Sequence, residues 1–294
     1  MKKFSFIIST SFVLAVIFGL SGCKKELVIE ENSMTFDSLI LAETYYLNSD
    51  QKQPSCNLQV DFVYPKQYKD EKILAKMQVL FIDKVLGREY LDLNPEAALQ
   101  AYKDNYIKEF KQFEAQIEKE NHSQFCELDH DHDHEHEAEE ANDLSYYLKI
   151  KNSISFNKNN IVSLLVNVDL YTGGAHGSHT VNCSVFDLDK GTIITEQQIF
   201  MEDYENQLAS IIVDKIVKAN ELKNPQQLED NGYISPEDIV SNNNFVIDEK
   251  GITYYFNEYE IAAYVVGMTE VFIPYKELVS LLKKDSPIAK LAGL

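Results

Sequence analysis

Tryptophan is absent from the 294 residues, and cysteine (4), proline (7) and glycine (11) are scarce. Past Cys23 only Cys56, Cys126 and Cys183 remain, so one disulfide at most can form and one thiol is left over. That rules out a disulfide scaffold and leaves the three pairings open. Basic residues are also short, with 27 Lys and Arg against 47 Asp and Glu. A nucleic-acid backbone is held by basic side chains that displace its counterions, so this balance argues against nucleic acid as a partner. Beyond Leu20 no apolar run is long enough to span a bilayer. His-Glu-x-x-His, Gly-x-Ser-x-Gly and Walker signatures are missing, and the carboxylates are too many to single out an acid/base pair. The expectation is a non-enzyme with no required cofactor.

What is present begins with a leader. Lys2 and Lys3 precede an almost wholly apolar stretch from Phe4 to Leu20, closed by Leu20-Ser21-Gly22-Cys23. A run this short, ending in small residues, reads as a cleaved signal peptide over 1–22 and not as a spanning helix. The Leu-Ser-Gly-Cys ending resembles the lipobox of bacterial lipoproteins. That resemblance implies cleavage after Gly22 and acyl chains, palmitate among them, on Cys23 as the link to membrane lipid. Two or three chains suffice for stable anchoring. Lys24 lacks the aspartate that goes with inner-membrane retention, so the resemblance implies a cell-envelope site at the outer membrane. Losing residues 1–22 with their two lysines leaves 25 basic against 47 acidic side chains, or −22. Such a charge favours cationic partners or solubility.

Residues 23–35 are mostly polar and read as anchor and tether. An N-terminal α+β domain is expected over 36–190. A first strand runs from Phe36 to Leu47, and Leu58, Val60 and Phe62 alternate with polar residues as a second. Ile73, Leu74, Met77, Leu80, Phe81 and Val85 recur at helical spacing, with Gly87 as the stop. Asn94 and Pro95 open another helix whose stripe, Leu99, Tyr102, Tyr106, Phe110, Phe113 and Ile117, reads as core. Three alternating strands follow around Tyr146 to Phe156, Val162 to Leu170 and Val181 to Val185, an antiparallel meander with one face in and one out. Cys183 falls on the apolar side. A C-terminal α+β domain is expected over 191–285: a helix from Glu196 to Ala219, a hairpin around Glu249-Lys250-Gly251, a strand at Val271 to Ile273, and a last helix opened by Pro274. Strands and helices come in runs, which gives an α+β fold in two closely associated subdomains.

Residues 121–144 interrupt this pattern as a His- and acid-rich insertion. In an extended backbone His130, His132, His134 and His136 project to one side and their carboxylate neighbours to the other. Neutral imidazole suits zinc, so the tract offers weak, adaptable zinc capture, or else only a solvated acidic insertion. The loop Gly173 to His179 fails the nucleotide fingerprints and reads as a turn between strands, with His176 the residue most worth testing. Tyr254, Tyr255, Tyr259, Glu260 and Tyr264 form an aromatic-acidic cluster. Exposed, such tyrosines serve recognition; buried, they serve the core, and burial decides.

Three stretches together resemble a known pair of domains: Tyr171-Thr172-Gly173-Gly174-Ala175-His176, Asn243-Asn244-Phe245, and Phe256-Asn257-Glu258-Tyr259-Glu260-Ile261-Ala262-Ala263-Tyr264 followed by Gly267. The pair is found, as domains of unknown function, in the extracytoplasmic parts of the lysozyme-sensing anti-sigma factor RsiV and the peptidoglycan deacetylase PdaC. The likeness covers residues 36 to 284. Prolines usual in the tyrosine motif are replaced by Glu258 and Ala263. RsiV's sigma-binding segment and the deacetylase's catalytic domain have no counterpart here, so only the extracytoplasmic module carries over. It implies a recognition module for a lysozyme-like cationic protein or for peptidoglycan; the candidate ligand-binding residues are His176, Tyr254, Tyr259, Glu260 and Tyr264.

Overall fold

The computed structural model describes residues 29–46, 55–125, 146–173 and 175–294. Six strands stand in chain order in one sheet: β1 (Thr35–Tyr46), β2 (Ser55–Gln67), β3 (Tyr146–Lys158), β4 (Ile161–Tyr171), β5 (Ser178–Asp187) and β6 (Thr192–Ile194). The expected antiparallel meander is β3 to β5, and β6 extends it by one short strand. β2 and β3 add one parallel pair, because the chain crosses over between them through helices α1 (Glu71–Val85) and α2 (Pro95–Phe125). The result is an α+β fold with a mostly antiparallel sheet.

Both helix starts follow from their caps. The Asp70 carboxylate accepts from the Lys72 and Ile73 N–H groups at 2.9 and 3.1 Å, and Asn94 Oδ1 accepts from Ala97 N–H at 2.9 Å. Ile73, Met77, Phe81, Ile82 and Val85 then line one face of α1 and pack with Leu58, Val60, Phe62, Leu148 and Leu164 of the sheet. In the aromatic stripe of α2, Leu99 and Phe110 are buried while Tyr102 and Tyr106 are partly so. The helix continues to Phe125, so the insertion expected from residue 121 opens inside it.

A second sheet, β7 (Phe245–Ile247), β8 (Gly251–Phe256) and β9 (Thr269–Pro274), belongs to the C-terminal half. It shares a core with Phe156, Ile161, Val185 and Ile194 on the opposite face of the large sheet. The helix expected over Glu196 to Ala219 is two: α3 (Glu196–Ile199) and α4 (Glu205–Ala219). Phe200 leaves helical geometry at φ −99°, ψ 154° and bridges to Leu282. Met201 N–H donates to the Leu281 carbonyl and Lys283 N–H to that of Ile199. Short helices α5 (Gln227–Asp230) and α6 (Tyr275–Leu278) complete the fold. Among the described residues no helix is long and apolar enough to cross a membrane.

The body begins pinned to the β3–β4 turn. Asn32 Nδ2 donates to Asn157 Oδ1 and the Ile161 carbonyl, Asn32 Oδ1 accepts from Asn160 N–H, and Glu31 pairs with Lys158. The β4–β5 loop, where the glycine-rich motif lies, is at the other end of these strands.

Candidate functional site

Antiparallel pairing leaves alternate residues of β5 with N–H and C=O groups turned away from β4. β6 satisfies them only from Val185 to Asp187. Further along β5, side chains from the C-terminal half take over. Asn244 Oδ1 accepts from Cys183 N–H at 2.7 Å and its amide donates to the Val181 carbonyl at 2.8 Å. Asn257 Oδ1 accepts from Val181 N–H at 2.7 Å, and its amide donates to the same carbonyl at 3.2 Å. Glu258 accepts from His179 N–H at 3.4 Å. Two of the three resembling stretches thus act first as a clamp on an open strand edge.

That clamp sets the tyrosine segment against the glycine-rich loop. Tyr264 stacks on His176 with ring centroids 5.0 Å apart and on Tyr259 at 5.5 Å. Its hydroxyl reaches the Gly177 carbonyl at 3.4 Å. Tyr147, whose hydroxyl also lies by Gly177, stacks with Tyr171 at 5.8 Å. A Cβ on Gly177 would stand 2.9 Å from the Tyr147 hydroxyl and 3.1 Å from the Leu170 carbonyl, so glycine is what lets the two stacks close on one backbone. Tyr259 is 71% exposed and holds φ +65°, a left-handed conformation unfavourable for a bulky residue. Beside the stack, His179 Nδ1 sits against Asp169 Oδ1. What the arrangement offers is a presented aromatic surface edged by carboxylates.

The expected site residues divide accordingly. His176, Tyr259 and Tyr264 come together. Tyr254 does not: it is fully buried, and burial together with nearby Glu196 pushes its hydroxyl well above the ordinary tyrosine range. Alternation along β8 turns Ile252, Tyr254 and Phe256 inward, so Tyr254 is corrected to a core residue. Glu260 is exposed but structurally engaged, accepting from Asn257 N–H at 2.8 Å and from the Asn242 amide at 2.6 Å. It holds the turn that presents Tyr259. Cys23 and the tract His130, His132, His134 and His136 lie outside the described residues. Among those described, no cluster of three or more metal-ligating side chains occurs. Cys183 is a free, half-buried thiol.

Tyr147, Tyr171 and Asp169 also belong to the site, and none was picked out as a site residue from sequence. A signal did exist for Tyr147. On β3 it keeps the polar phase with Lys149 and Lys151, where an aromatic is out of place. Glu196, equally unforeseen, is buried in a structural network, accepting from Tyr204 and Ser241 hydroxyls at 3.0 and 2.8 Å and from Asn243 N–H at 3.2 Å.

The fold and this junction define a two-part α+β module. Residues 51–179 match the family model described as deacetylase PdaC, and residues 197–276 match the protein of unknown function DUF3298. The chain carries this domain pair. A solved member of the DUF3298 family from Bacteroides fragilis NCTC 9343 superimposes with a TM-score of 0.78 at 28% identity, over 90% of this chain and 98% of that one. A DUF3298 family protein from Pseudomonas aeruginosa PAO1 has the same fold, with a TM-score of 0.57 at 16% identity over 86% and 96%. No curated protein matches the chain.

Proposed function

We propose that this protein is an envelope-anchored lipoprotein, tied to the membrane by lipid on Cys23, that serves as a non-catalytic recognition module. The observation that carries the reading is the Tyr259–Tyr264–His176 stack, with Tyr259 exposed in a strained conformation at the junction of the two domains. Strain at an exposed aromatic is unfavourable for stability alone and fits presentation to a ligand. The resemblance and the charge point to a lysozyme-like cationic protein or cell-wall glycan, the first steered by long-range attraction. The test is binding of lysozyme and of murein fragments at low and moderate salt, with Tyr259→Ala as comparison. Binding that weakens in the variant is expected; no interaction with either ligand removes the proposal. Mass spectrometry of the native polypeptide checks the anchor, which predicts an acylated Cys23 as first residue.

The His130–His136 tract supports a second reading, zinc capture by an envelope lipoprotein, on the strength of four imidazoles at alternate positions.

A further inference from the structure

We infer that the aromatic cluster where α2 passes the start of β3 is a second binding site, for a small organic cation such as a quaternary ammonium, held among the rings of Tyr106, Phe110 and Tyr146 with the Glu109 carboxylate at the rim. The site is independent of the recognition reading and lies on the helix-covered side of the large sheet. Side chains alternate along β3, so Tyr146 shares the side of Leu148 and Ile150, which belong to the core under the helices. Tyr147, beside the junction, takes the opposite side.

Helical spacing builds the site. Tyr106 and Phe110 are four apart on α2 and share a face, and Glu109, three on from Tyr106, is its neighbour. Phe110 and Tyr146 are buried and meet with ring centroids 5.4 Å apart and planes at 79°. Tyr45 stands edge-on to Phe110 at 6.0 Å. With Cys56 and the half-buried Tyr106 these residues form a small cluster beside the main cores, and four of its five members are aromatic. Rings that served only the core would pack to fill their own space. Here a cavity of about 320 Å³ remains, bordered among the described residues by Tyr106, Glu109, Phe110, Tyr146 and Thr172. Glu109 and Thr172 are exposed, so the cavity opens to solvent.

Its lining selects among ligands. The face of an aromatic ring carries partial negative charge and attracts a cation within about 6 Å, and several rings around one volume suit a quaternary ammonium. Rings set nearly at right angles let two such π systems border the same space. The cluster already attracts one cation on its outer side, where the Lys111 ammonium stands 4.5 Å over the ring of Tyr45. Glu109 adds a full negative charge at the opening, and the acidic balance of the whole chain raises the local concentration of cations. An anion would meet both the ring faces and the carboxylate. A neutral apolar molecule would fill the cavity but gain nothing from Glu109.

The test is calorimetric titration of the full chain with choline and with neohexyl alcohol, its uncharged carbon isostere. Choline is expected to bind with a Kd of about 1 mM or tighter. It should bind about tenfold more tightly than the alcohol. Glu109→Gln, at an exposed position, should weaken choline about three- to tenfold and leave the alcohol unchanged. Tyr106→Leu should weaken choline about tenfold. Tyr106→Phe keeps the ring and loses only the contact of the hydroxyl with Cys56, so it should bind choline as the parent does. Equal affinity for choline and the alcohol, or equal losses in Tyr106→Leu and Tyr106→Phe, overturns the cation. No choline binding, or binding untouched by both Glu109→Gln and Tyr106→Leu, overturns the site. Neither result bears on the binding of lysozyme or murein fragments, which tests the recognition reading separately.

Discussion

Ser163 and Ile247, 84 positions apart, complete each other's hydrogen bonding across the two sheets: the Ser163 hydroxyl donates to the Ile247 carbonyl at 2.7 Å and accepts from Ile247 N–H at 3.1 Å. Both residues are fully inaccessible. Ile247 sits at a position of β7 whose peptide groups face away from β8, so without the hydroxyl both would be buried and unsatisfied. Asn244 and Asn257 do the same for β5. Side chains, not a further strand, thus join the halves of the molecule, and the aromatic site sits on that joint.

Ser163→Ala should therefore cost far more than a lost hydroxyl at the surface. Stranding a buried N–H and a buried carbonyl predicts a destabilisation of about 2–4 kcal/mol. Exposed Ser38→Ala should stay within about 0.5 kcal/mol. Urea titration of the two variants checks this, and equal midpoints would show that the Ser163 pair contributes nothing.

Asn257→Ala tests the clamp on β5 one peptide at a time. It removes the acceptor of Val181 N–H but leaves Cys183 N–H on Asn244. Hydrogen exchange should accelerate at Val181 and change little at Cys183, with a stability loss of about 1–3 kcal/mol. Asn244→Ala should reverse the order of the two amides.

How far the sequence reveals this follows from range. The Asn94-Pro95 start of α2 and the alternation of β3, β4 and β5 are local signals, and each appears where the residues place it. The parallel β2–β3 pair is not local, because it depends on a crossover of two helices. Nor is the break after Ile199. Phe200 continues the apolar spacing of a helix, yet pairing with Leu282 near the C-terminus outweighs it. At the site, one tyrosine-rich stretch holds a core residue, Tyr254, and an exposed one, Tyr259. Period-two alternation from Ile252 to Phe256 could have separated the first. The stacking of Tyr259 and His176 on Tyr264 could not be read, since it depends on how two distant loops meet.

Burial, followed by the charge of Glu270, pushes the Cys183 thiol up to about 12 from 9.0. Burial raises Tyr102 and Tyr255 from 10.0 to about 12. In each case the unfolded chain releases its proton first. The contribution to stability is therefore complete below the ordinary value and is lost as pH climbs toward 12. Stability should be flat with respect to these groups up to about pH 9 and fall above it. At pH 8, alkylation at Cys183 should be at least about 100-fold slower in the native protein than in urea, because the thiolate fraction is suppressed. Peptide mapping of the labelled site checks this, and equal rates would contradict the burial.

The zinc reading makes a separate prediction. Calorimetric titration should find tighter zinc binding by the intact chain than by one lacking residues 129–137, because neutral imidazoles at alternate positions are the donors that zinc takes. Equal affinities would eliminate a role for the tract and leave the aromatic site untouched.

Tyr259→Gly separates function from stability at a single residue. Its φ of +65° costs a side-chain-bearing residue about 1–2 kcal/mol, and glycine adopts it without that penalty. Glycine also frees the unfolded chain, which offsets part of the gain, so a net stabilisation of about 0–1 kcal/mol is expected. The turn itself should persist, since Asn257 N–H and the Asn242 amide still bind Glu260. Ligand binding should fall because the exposed ring is gone from its stack on Tyr264. A melting temperature that holds or rises while binding weakens is the signature of an aromatic kept for recognition against its conformational preference. A variant that melts clearly lower would mean that Tyr259 supports the fold, and the strained conformation would then be no argument for a ligand.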